Sequence, residues 1–185
     1  MMIKTERLIL RKFTPDDADA FAAMNADPQV MQYFPNVMSR EGSDGFLEYE
    51  IQNWTDNGFS LFALEKRDTG EMIGFTGLSR PSYETPFTPC VEIGWRLVPS
   101  AWGKGLASEA AQASLAFGFA GLGLEEIVSF TTATNLPSQN LMKRIGMTRN
   151  PADDFDHPKL TSDHPLLRHV LYRLSREEWL ATRAA

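Results

Sequence analysis

Residues 100–119, SAWGKGLASEAAQASLAFGF, constrain the fold most strongly because they join a predicted strand to a long predicted helix. Alanine-rich sequence with apolar residues at helical spacing predicts that this helix covers residues 103–121. Gly103 and Gly105 lie at its start, although each glycine costs a helix about 1 kcal/mol relative to alanine. Unpaired N–H groups at a helix N-terminus bind anions, and glycine leaves that backbone accessible. The segment therefore predicts a phosphate or pyrophosphate site, with an ordinary glycine-rich turn as the alternative.

The remaining sequence alternates between strand and helix patterns. Predicted strands cover residues 7–13, 59–66, 71–79, 91–98, 125–132 and 167–174. Predicted helices begin at the caps Thr14, Ser39 and Ser175, and a short helix covers residues 136–145. This order indicates one α/β (α+β) domain over residues 1–185, with a mixed sheet and helices on both of its faces.

Charge and composition limit the partners and the compartment of the protein. The 185 residues carry a net charge of −6, which disfavours a nucleic-acid partner. The opening MMIKTERLILRKF has a charge within every apolar run and is not typical of a signal peptide. No apolar stretch approaches the ~20 residues of a membrane span, and Cys90 is the only cysteine. We therefore expect a cytoplasmic protein with no internal disulfide, no metal site, and no nucleic-acid or membrane partner.

Two ordered motifs, EIGWRLVPSAWGKGLASEA and then NLPSQNLMKRIGM, resemble the Gcn5-related N-acetyltransferase (GNAT) family. Gly105 and Ala107 match the family signature [QR]xxGx[GA], whereas Trp102 occupies the Gln/Arg position. This departure and the opening TERLILRKFTPDDADAF resemble the branch that acetylates ribosomal-protein N-termini. The resemblance covers nearly the whole chain. It implies a single-domain fold whose mixed, mostly antiparallel central sheet splays between its fourth and fifth strands, residues 91–98 and 125–132.

The resemblance also implies acetyl-CoA as co-substrate, no metal and an amine acceptor. Backbone amides of residues 103–108 would hold the pyrophosphate, and unpaired backbone groups near Leu97 and Val98 would pair with the pantetheine arm as an added strand does. Asn135 would contact that arm, with a helix cap as the alternative. The residues expected to bind the coenzyme are Leu97, Val98, Trp102, Gly103, Lys104, Gly105, Leu106, Ala107, Ser108, Asn135, Asn140 and Lys143. For Lys143 a solvated helix face is the alternative.

Acetyl transfer from a thioester to an amine requires removal of the ammonium proton, stabilisation of an oxyanion and departure of a thiolate. Glu92 is the predicted base, directly or through water, because it precedes a predicted bulge at Gly94 on the strand that would line the cleft. A surface glutamate is the alternative interpretation. Glu48 and Glu50, on the second predicted helix, are rival bases.

The general acid is less clearly indicated. Met142 occupies the position where many family members carry a tyrosine. Ser138 matches a serine that has this role in the ribosomal-protein branch, so it is the predicted acid, with a hydrogen bond in the helix turn as the alternative. Tyr33 and Tyr172 are more remote candidates, and a thiolate can also leave unprotonated.

These observations predict an acetyl-CoA-dependent N-acetyltransferase that acts on a primary amine by direct attack in a ternary complex. The resemblance to the ribosomal-protein branch implies a protein or peptide N-terminal α-amino group as the acceptor, and the pKa of such a group, about 7.7–8.0, requires only modest base assistance. The alternatives are a small amine acceptor (an amino acid, polyamine or antibiotic) and a non-catalytic acyl-CoA-binding module. Residues 29–44 and 80–89 would contact the acceptor, and a homodimer is possible.

Overall fold

The computed structural model describes residues 1–184, which divide into two compact units. The first unit comprises Met1–Ser79 and Gly94–Ser114, and the second comprises Arg80–Ile93 and the chain from Leu115. Strand β5 and helix α3, defined below, each begin in one unit and end in the other. No helix in the described part of the chain is long and apolar enough to cross a membrane.

The first unit contains an antiparallel arrangement of strands that leads to β5. Its elements are β1 (Met2–Lys4), β2 (Leu8–Arg11), α1 (Ala18–Ala26), α2 (Arg40–Asp56), β3 (Leu61–Lys66), β4 (Met72–Ser79) and the end of β5 (Glu92–Leu97). The strands lie in the order β1-β2-β3-β4-β5, and the first three pairings are antiparallel. Phe21 lies at the centre of the core, with its ring 5.1 Å from Phe13 and 5.9 Å from Phe75.

Local capping explains where the helices of the first unit begin. The Ser39 hydroxyl accepts from the Gly42 N–H at 3.1 Å, so α2 begins at the next residue, as predicted. A short 3₁₀ turn (Pro15–Asp17) precedes α1, and its Asp17 carboxylate accepts from the Thr14 N–H and pairs with Arg11 at 2.7 Å. The predicted helix starts near Thr14 and Ser39 are therefore confirmed.

The second unit is organised around a long antiparallel strand pair. Its elements are β6 (Glu126–Thr132), α4 (Leu136–Arg144), β7 (Thr148–Arg149), β8 (Phe155–Asp156), β9 (Arg168–Ser175) and α5 (Arg176–Ala184). β6 pairs with β9 in seven register positions, and β7 and β8 also pair with β9. The beginning of β5 pairs with β6 in parallel, with Glu92 opposite Val128. The predicted mixed, mostly antiparallel sheet with associated helices is confirmed.

The predicted start of the long helix at Gly103 is wrong. Helix α3 (Leu106–Ala116) begins three residues later and is followed by a π-helical turn, Phe117–Gly121. Gly103 and Gly105 have φ angles of +70° and +76°, in the left-handed region that a right-handed helix does not use. The glycines thus form a turn before the helix rather than its first residues.

Gly74 allows β4 to approach the end of β5 closely. Its φ is +144°, and a Cβ there would lie 2.2 Å from the Arg96 carbonyl oxygen and 2.7 Å from the Leu97 Cα. Because backbone cannot move aside as a flexible side chain can, we expect Gly74→Ala to lower the free energy of unfolding by about 1–3 kcal/mol or more. Urea unfolding measures the loss. Gly70→Ala is the control, since Gly70 has φ +72° in open space, and equal losses in both variants would contradict the close-approach explanation.

Candidate coenzyme and acyl-transfer site

The glycine turn, defined here as residues 102–105, presents an accessible backbone directly before α3. All four of its residues are exposed. A Cβ at Gly103 would meet nothing within 4 Å, and one at Gly105 would meet only the Arg7 Nη2, at 3.5 Å. Helix α3 adds the positive end of its dipole. The turn therefore has the open backbone that a phosphate group requires.

Arg7 holds one peptide of the glycine turn in a fixed orientation. Its Nη1 donates to the Lys104 carbonyl at 2.8 Å, while its Nε pairs with the Glu109 carboxylate at 2.7 Å. Thr5 Oγ1 and the Arg7 N–H donate to the same carboxylate. Burial raises the pKa of Glu109, but these hydrogen bonds outweigh burial and lower it. Because C=O and N–H of a trans peptide point in opposite directions, fixing the Lys104 carbonyl also fixes the Gly105 N–H.

The expectation of unpaired backbone groups at Leu97 and Val98 is wrong. The Leu97 carbonyl accepts from the Trp102 indole N–H at 2.8 Å, because the indole folds back over the end of β5. The Val98 N–H donates to the Ile73 carbonyl at 3.0 Å, and its own carbonyl accepts from the Ala101 N–H. A carbonyl oxygen has a second lone pair, so Leu97 keeps the capacity to accept one further hydrogen bond.

Glu92 is a part-buried carboxylate at the start of β5. Burial raises its pKa to about 8. Its charge also raises the pKa of the neighbouring Tyr83 and Cys90 side chains, although burial is the larger cause for both, and the Cys90 pKa reaches about 11. A carboxylate that titrates near the operating pH has the basicity suited to general-base catalysis.

The rival bases on α2 have different surroundings. Glu50 is 2% exposed, and its carboxylate accepts from the Ser60 hydroxyl and from the Leu61 N–H. Burial raises the pKa of Glu50, while both hydrogen bonds lower it, and burial is the larger effect. Glu48 is exposed on the same helix. Glu50 thus connects α2 to the start of β3, and we interpret it as a structural carboxylate.

Asn135 caps helix α4 in the second unit. Its Oδ1 accepts from the Ser138 backbone N–H at 3.2 Å, and its Nδ2 donates to Thr131 Oγ1 at 2.9 Å. The helix-cap interpretation of Asn135 therefore describes the structure, and its contact with the pantetheine arm stays a prediction. Asn140 and Lys143 are exposed on the same helix, so their phosphate contacts also stay predictions.

The residues considered for the general acid on and near α4 differ in how deeply they are buried. Met142, which replaces the tyrosine of many relatives, is 1% exposed. Tyr172 is 2% exposed, with its hydroxyl 3.5 Å from the Gln139 Oε1. Ser138 is part-buried at the first turn of α4. It is the least enclosed of these three side chains, and its role as the acid stays a prediction.

Two arginines of the first unit make contacts that the sequence does not predict. Arg7 belongs to the quoted TERL segment, but its partner Lys104 is 97 residues away. Arg96 alternates with apolar residues in β5, a pattern typical of a solvated strand face, yet it is 8% exposed. Only the folded structure shows these contacts, because both arginines bind partners distant in sequence.

Comparison with known proteins identifies the family. Residues 7–148 match the family profile described as an acetyltransferase (GNAT) domain. The uncharacterised N-acetyltransferase YnaD of Bacillus subtilis is 33% identical over 180 residues, covering 97% of this chain and 99% of the relative.

Solved structures agree with this assignment. A GNAT-family acetyltransferase from Bacillus anthracis has a TM-score of 0.78 at 29% identity, covering 96% of this chain and 99% of its own. A spermidine N-acetyltransferase from Vibrio cholerae, solved with CoA and spermine, shares the fold alone, with a TM-score of 0.75 at 18% identity over 95% and 99% of the two chains. The chain therefore belongs to the GNAT family and is an acyltransferase whose acetyl donor is acetyl-CoA.

Proposed function

We propose that this protein acetylates a primary α-amino group, with a protein or peptide N-terminus as the expected acceptor, by direct attack in a ternary complex. The observation that carries the proposal is Glu92, a part-buried carboxylate with a pKa of about 8 on the strand that leads to the glycine turn. An α-amino group has a pKa of about 7.7–8.0, whereas that of a lysine side chain is about 10.4. The α-ammonium of a peptide N-terminus therefore gives up its proton to a carboxylate more readily than a lysine ammonium does.

Different residues bind the coenzyme and transfer the protons. The coenzyme supplies an acetyl thioester. Backbone N–H groups of residues 103–108 bind its phosphates, aided by the α3 dipole. Glu92 takes the ammonium proton, and the amine lone pair then forms the new N–C bond to the thioester carbonyl, which gives a tetrahedral oxyanion. The oxyanion collapses and the C–S bond breaks, while the second proton of the attacking nitrogen is released to solvent. Ser138 donates a proton to the departing sulfur and recovers that proton from solvent.

A panel of acceptors tests this function. Release of free CoA from acetyl-CoA is measured with N-terminal peptides, free amino acids, polyamines and aminoglycosides. Fastest turnover with α-amines is expected. Fastest turnover with polyamines or antibiotics would support a small-amine enzyme of another kind. Binding of acetyl-CoA without turnover of any amine would support the non-catalytic alternative.

Ser138→Ala tests the predicted acid. The cap of α4 uses the Ser138 backbone N–H rather than its hydroxyl, so the cap remains in the variant. We expect kcat to fall by less than about tenfold, below the usual general-acid range, because a thiolate is a good leaving group. The acetyl-CoA Kd, measured by calorimetry, should be unchanged. Weaker coenzyme binding with an intact kcat would instead make Ser138 a binding contact.

The remaining expectations concern assembly and location. A cytoplasmic location and a possible homodimer stay predictions. Analytical ultracentrifugation over a range of protein concentrations would determine the oligomeric state.

A further inference from the structure

Arg96 is a buried cation that forms no salt bridge with any carboxylate in the described residues 1–184. It is 8% exposed. Its Nη1 donates to the Asn25 Oδ1 at 2.6 Å, whereas its buried Nε has no hydrogen-bond partner in that part of the chain. The other ion pairs of the first unit, such as Arg7–Glu109 and Arg11–Asp17, satisfy their arginines with carboxylates. Arg96 therefore has an unused donor and an uncompensated charge.

Two aromatic rings and a neutral amide surround the guanidinium. Its central carbon lies 4.3 Å from the Phe34 ring centroid and 5.2 Å from that of Phe75. Asn25 is fully buried and is fixed by its own donation to the Ser43 hydroxyl at 2.9 Å. One edge of Arg96 is thus held by an oriented amide and its faces lie near aromatic rings, while the Nε edge is unused.

An isolated charge in such an environment is unfavourable unless something compensates it. Removing a cation from water is strongly unfavourable even after relaxation, and contact with aromatic faces compensates only part of this unfavourable free energy. Burial lowers the pKa of Arg96 to about 10, so the guanidinium is still charged at neutral pH. A guanidinium edge matches a carboxylate in geometry and charge. The missing counter-charge therefore points to an anionic ligand.

The position of Phe34 indicates which ligand this is. Phe34 lies between α1 and α2, in the segment predicted to contact the acceptor, and it is 41% exposed although its ring lies against the buried Arg96. An exposed aromatic ring beside a buried cation can move without disrupting the core of the unit. The segment that would meet the acceptor is thus the one that covers Arg96.

We propose that Arg96 binds a carboxylate of the acceptor, so that the substrates are α-amines that also carry an acidic group. This inference rests on the proposed acetyltransferase function and specifies its substrate class. The carboxylate has two possible sources, the α-carboxylate of a free amino acid or the side chain of an acidic residue near a peptide N-terminus. Polyamines, which carry no acid, do not satisfy Arg96.

Kinetics with matched acceptors tests the proposal. Each free amino acid is compared with its α-carboxamide, and peptides with Asp or Glu at the second position are compared with their Asn or Gln counterparts. We expect the acid to have a KM at least about tenfold below that of its amide in one of these two sets. That set identifies the source of the carboxylate. Acids and amides that are equally good substrates in both sets would overturn the proposal.

Two substitutions assign the effect to Arg96. Arg96→Gln removes the charge but retains a donor for the Asn25 oxygen, and Arg96→Lys retains the charge. Arg96→Gln should raise the KM for the acid at least about tenfold. The KM for the amide, the kcat and the Kd for acetyl-CoA should change little. Arg96→Lys should recover part of the loss. An equal rise for acid and amide would make Arg96 purely structural.

A binding measurement on the unmodified protein separates this inference from the proposed function. The Nε–H resonance of Arg96 is followed by NMR while the acids of both sets, free amino acids and acidic peptides, or their amide counterparts are added, with Arg96→Lys used for assignment. A shift with the acids alone supports the site even if no amine is acetylated, a result that would contradict the proposed function. A resonance that moves with neither ligand overturns the carboxylate site whether or not the enzyme turns over.

Discussion

Glu92→Gln is expected to lower kcat/KM by about 10²–10⁴-fold near neutral pH, the usual contribution of a general base. An acceptor amine is mostly an ammonium ion at this pH, and glutamine cannot take its proton. Glu48→Gln is the control, because Glu48 is exposed on α2. A Glu92→Gln enzyme within about twofold of the unmodified enzyme at neutral pH would remove Glu92 from the mechanism.

The pH dependence follows from the raised pKa of Glu92. With a pKa of about 8, the fraction of Glu92 in the basic form grows as the pH rises through that value, and the rate of the unmodified enzyme grows with it. The variant lacks this contribution. At pH values well above the pKa of the amine, free amine is abundant and needs no base, so the two profiles should converge. Profiles of both enzymes with one acceptor provide the measurement.

The stability of the same variant reports on the burial of Glu92 independently of catalysis. The pKa rises from 4.5 in the unfolded chain to about 8 in the folded protein, so the folded state binds the proton more tightly between these values. The free energy of unfolding contributed by Glu92 therefore falls as the pH rises from about 4.5 to about 8. Glutamine does not titrate, so the variant should lose less stability across this window. Urea unfolding at both ends of the window measures the difference.

Gly105→Glu is expected to weaken acetyl-CoA binding by about a hundredfold. The substitution places a side chain over the open backbone of the glycine turn and a negative charge beside the coenzyme phosphates. Two like charges about 4 Å apart near a protein surface repel by about 4 kcal/mol, more than the ~2.7 kcal/mol that a hundredfold change requires. Calorimetry on the folded variant measures the Kd.

Gly58→Glu is the matched control for Gly105→Glu. Both glycines have a φ of +76°, so the backbone strain is the same. A Cβ at Gly58 would meet nothing within 4 Å, and one at Gly105 would meet only the Arg7 Nη2 at 3.5 Å, an ordinary van der Waals distance. Gly58 follows α2 instead of preceding α3, and its substitution should leave the acetyl-CoA Kd unchanged. Equal losses of affinity in the two variants, or none in Gly105→Glu, would contradict the phosphate site.

Sequence reasoning located the elements that depend on local interactions. Ser39 caps α2, and Ser175 exchanges hydrogen bonds with Glu178 at the start of α5, as a capping box does. Both signals lie within three residues of the helix start, so they are visible in the sequence. The glycine turn was also visible, although its left-handed glycines moved the start of α3 to Leu106.

Contacts distant in sequence explain what the sequence did not predict. The pairing of Leu97 depends on how the Trp102 indole folds back, and no pattern records a side-chain rotamer. The burial of Arg96 depends on Asn25, 71 residues away, because strand alternation alone does not show which polar position is covered. The pKa of Glu92 likewise depends on burial by the folded chain. Local patterns thus predicted the elements, but not the environment of each ionisable group.

The contact between Arg7 and the Lys104 carbonyl has a consequence for protein engineering. The glycine turn and the start of α3 are short and contiguous, which makes them attractive to transplant into another scaffold. A graft of residues 102–109 alone would carry Glu109 without Arg7, leaving a carboxylate without its cation and a peptide plane without its anchor. A functional chimera would therefore have to include the N-terminal segment around Thr5 and Arg7.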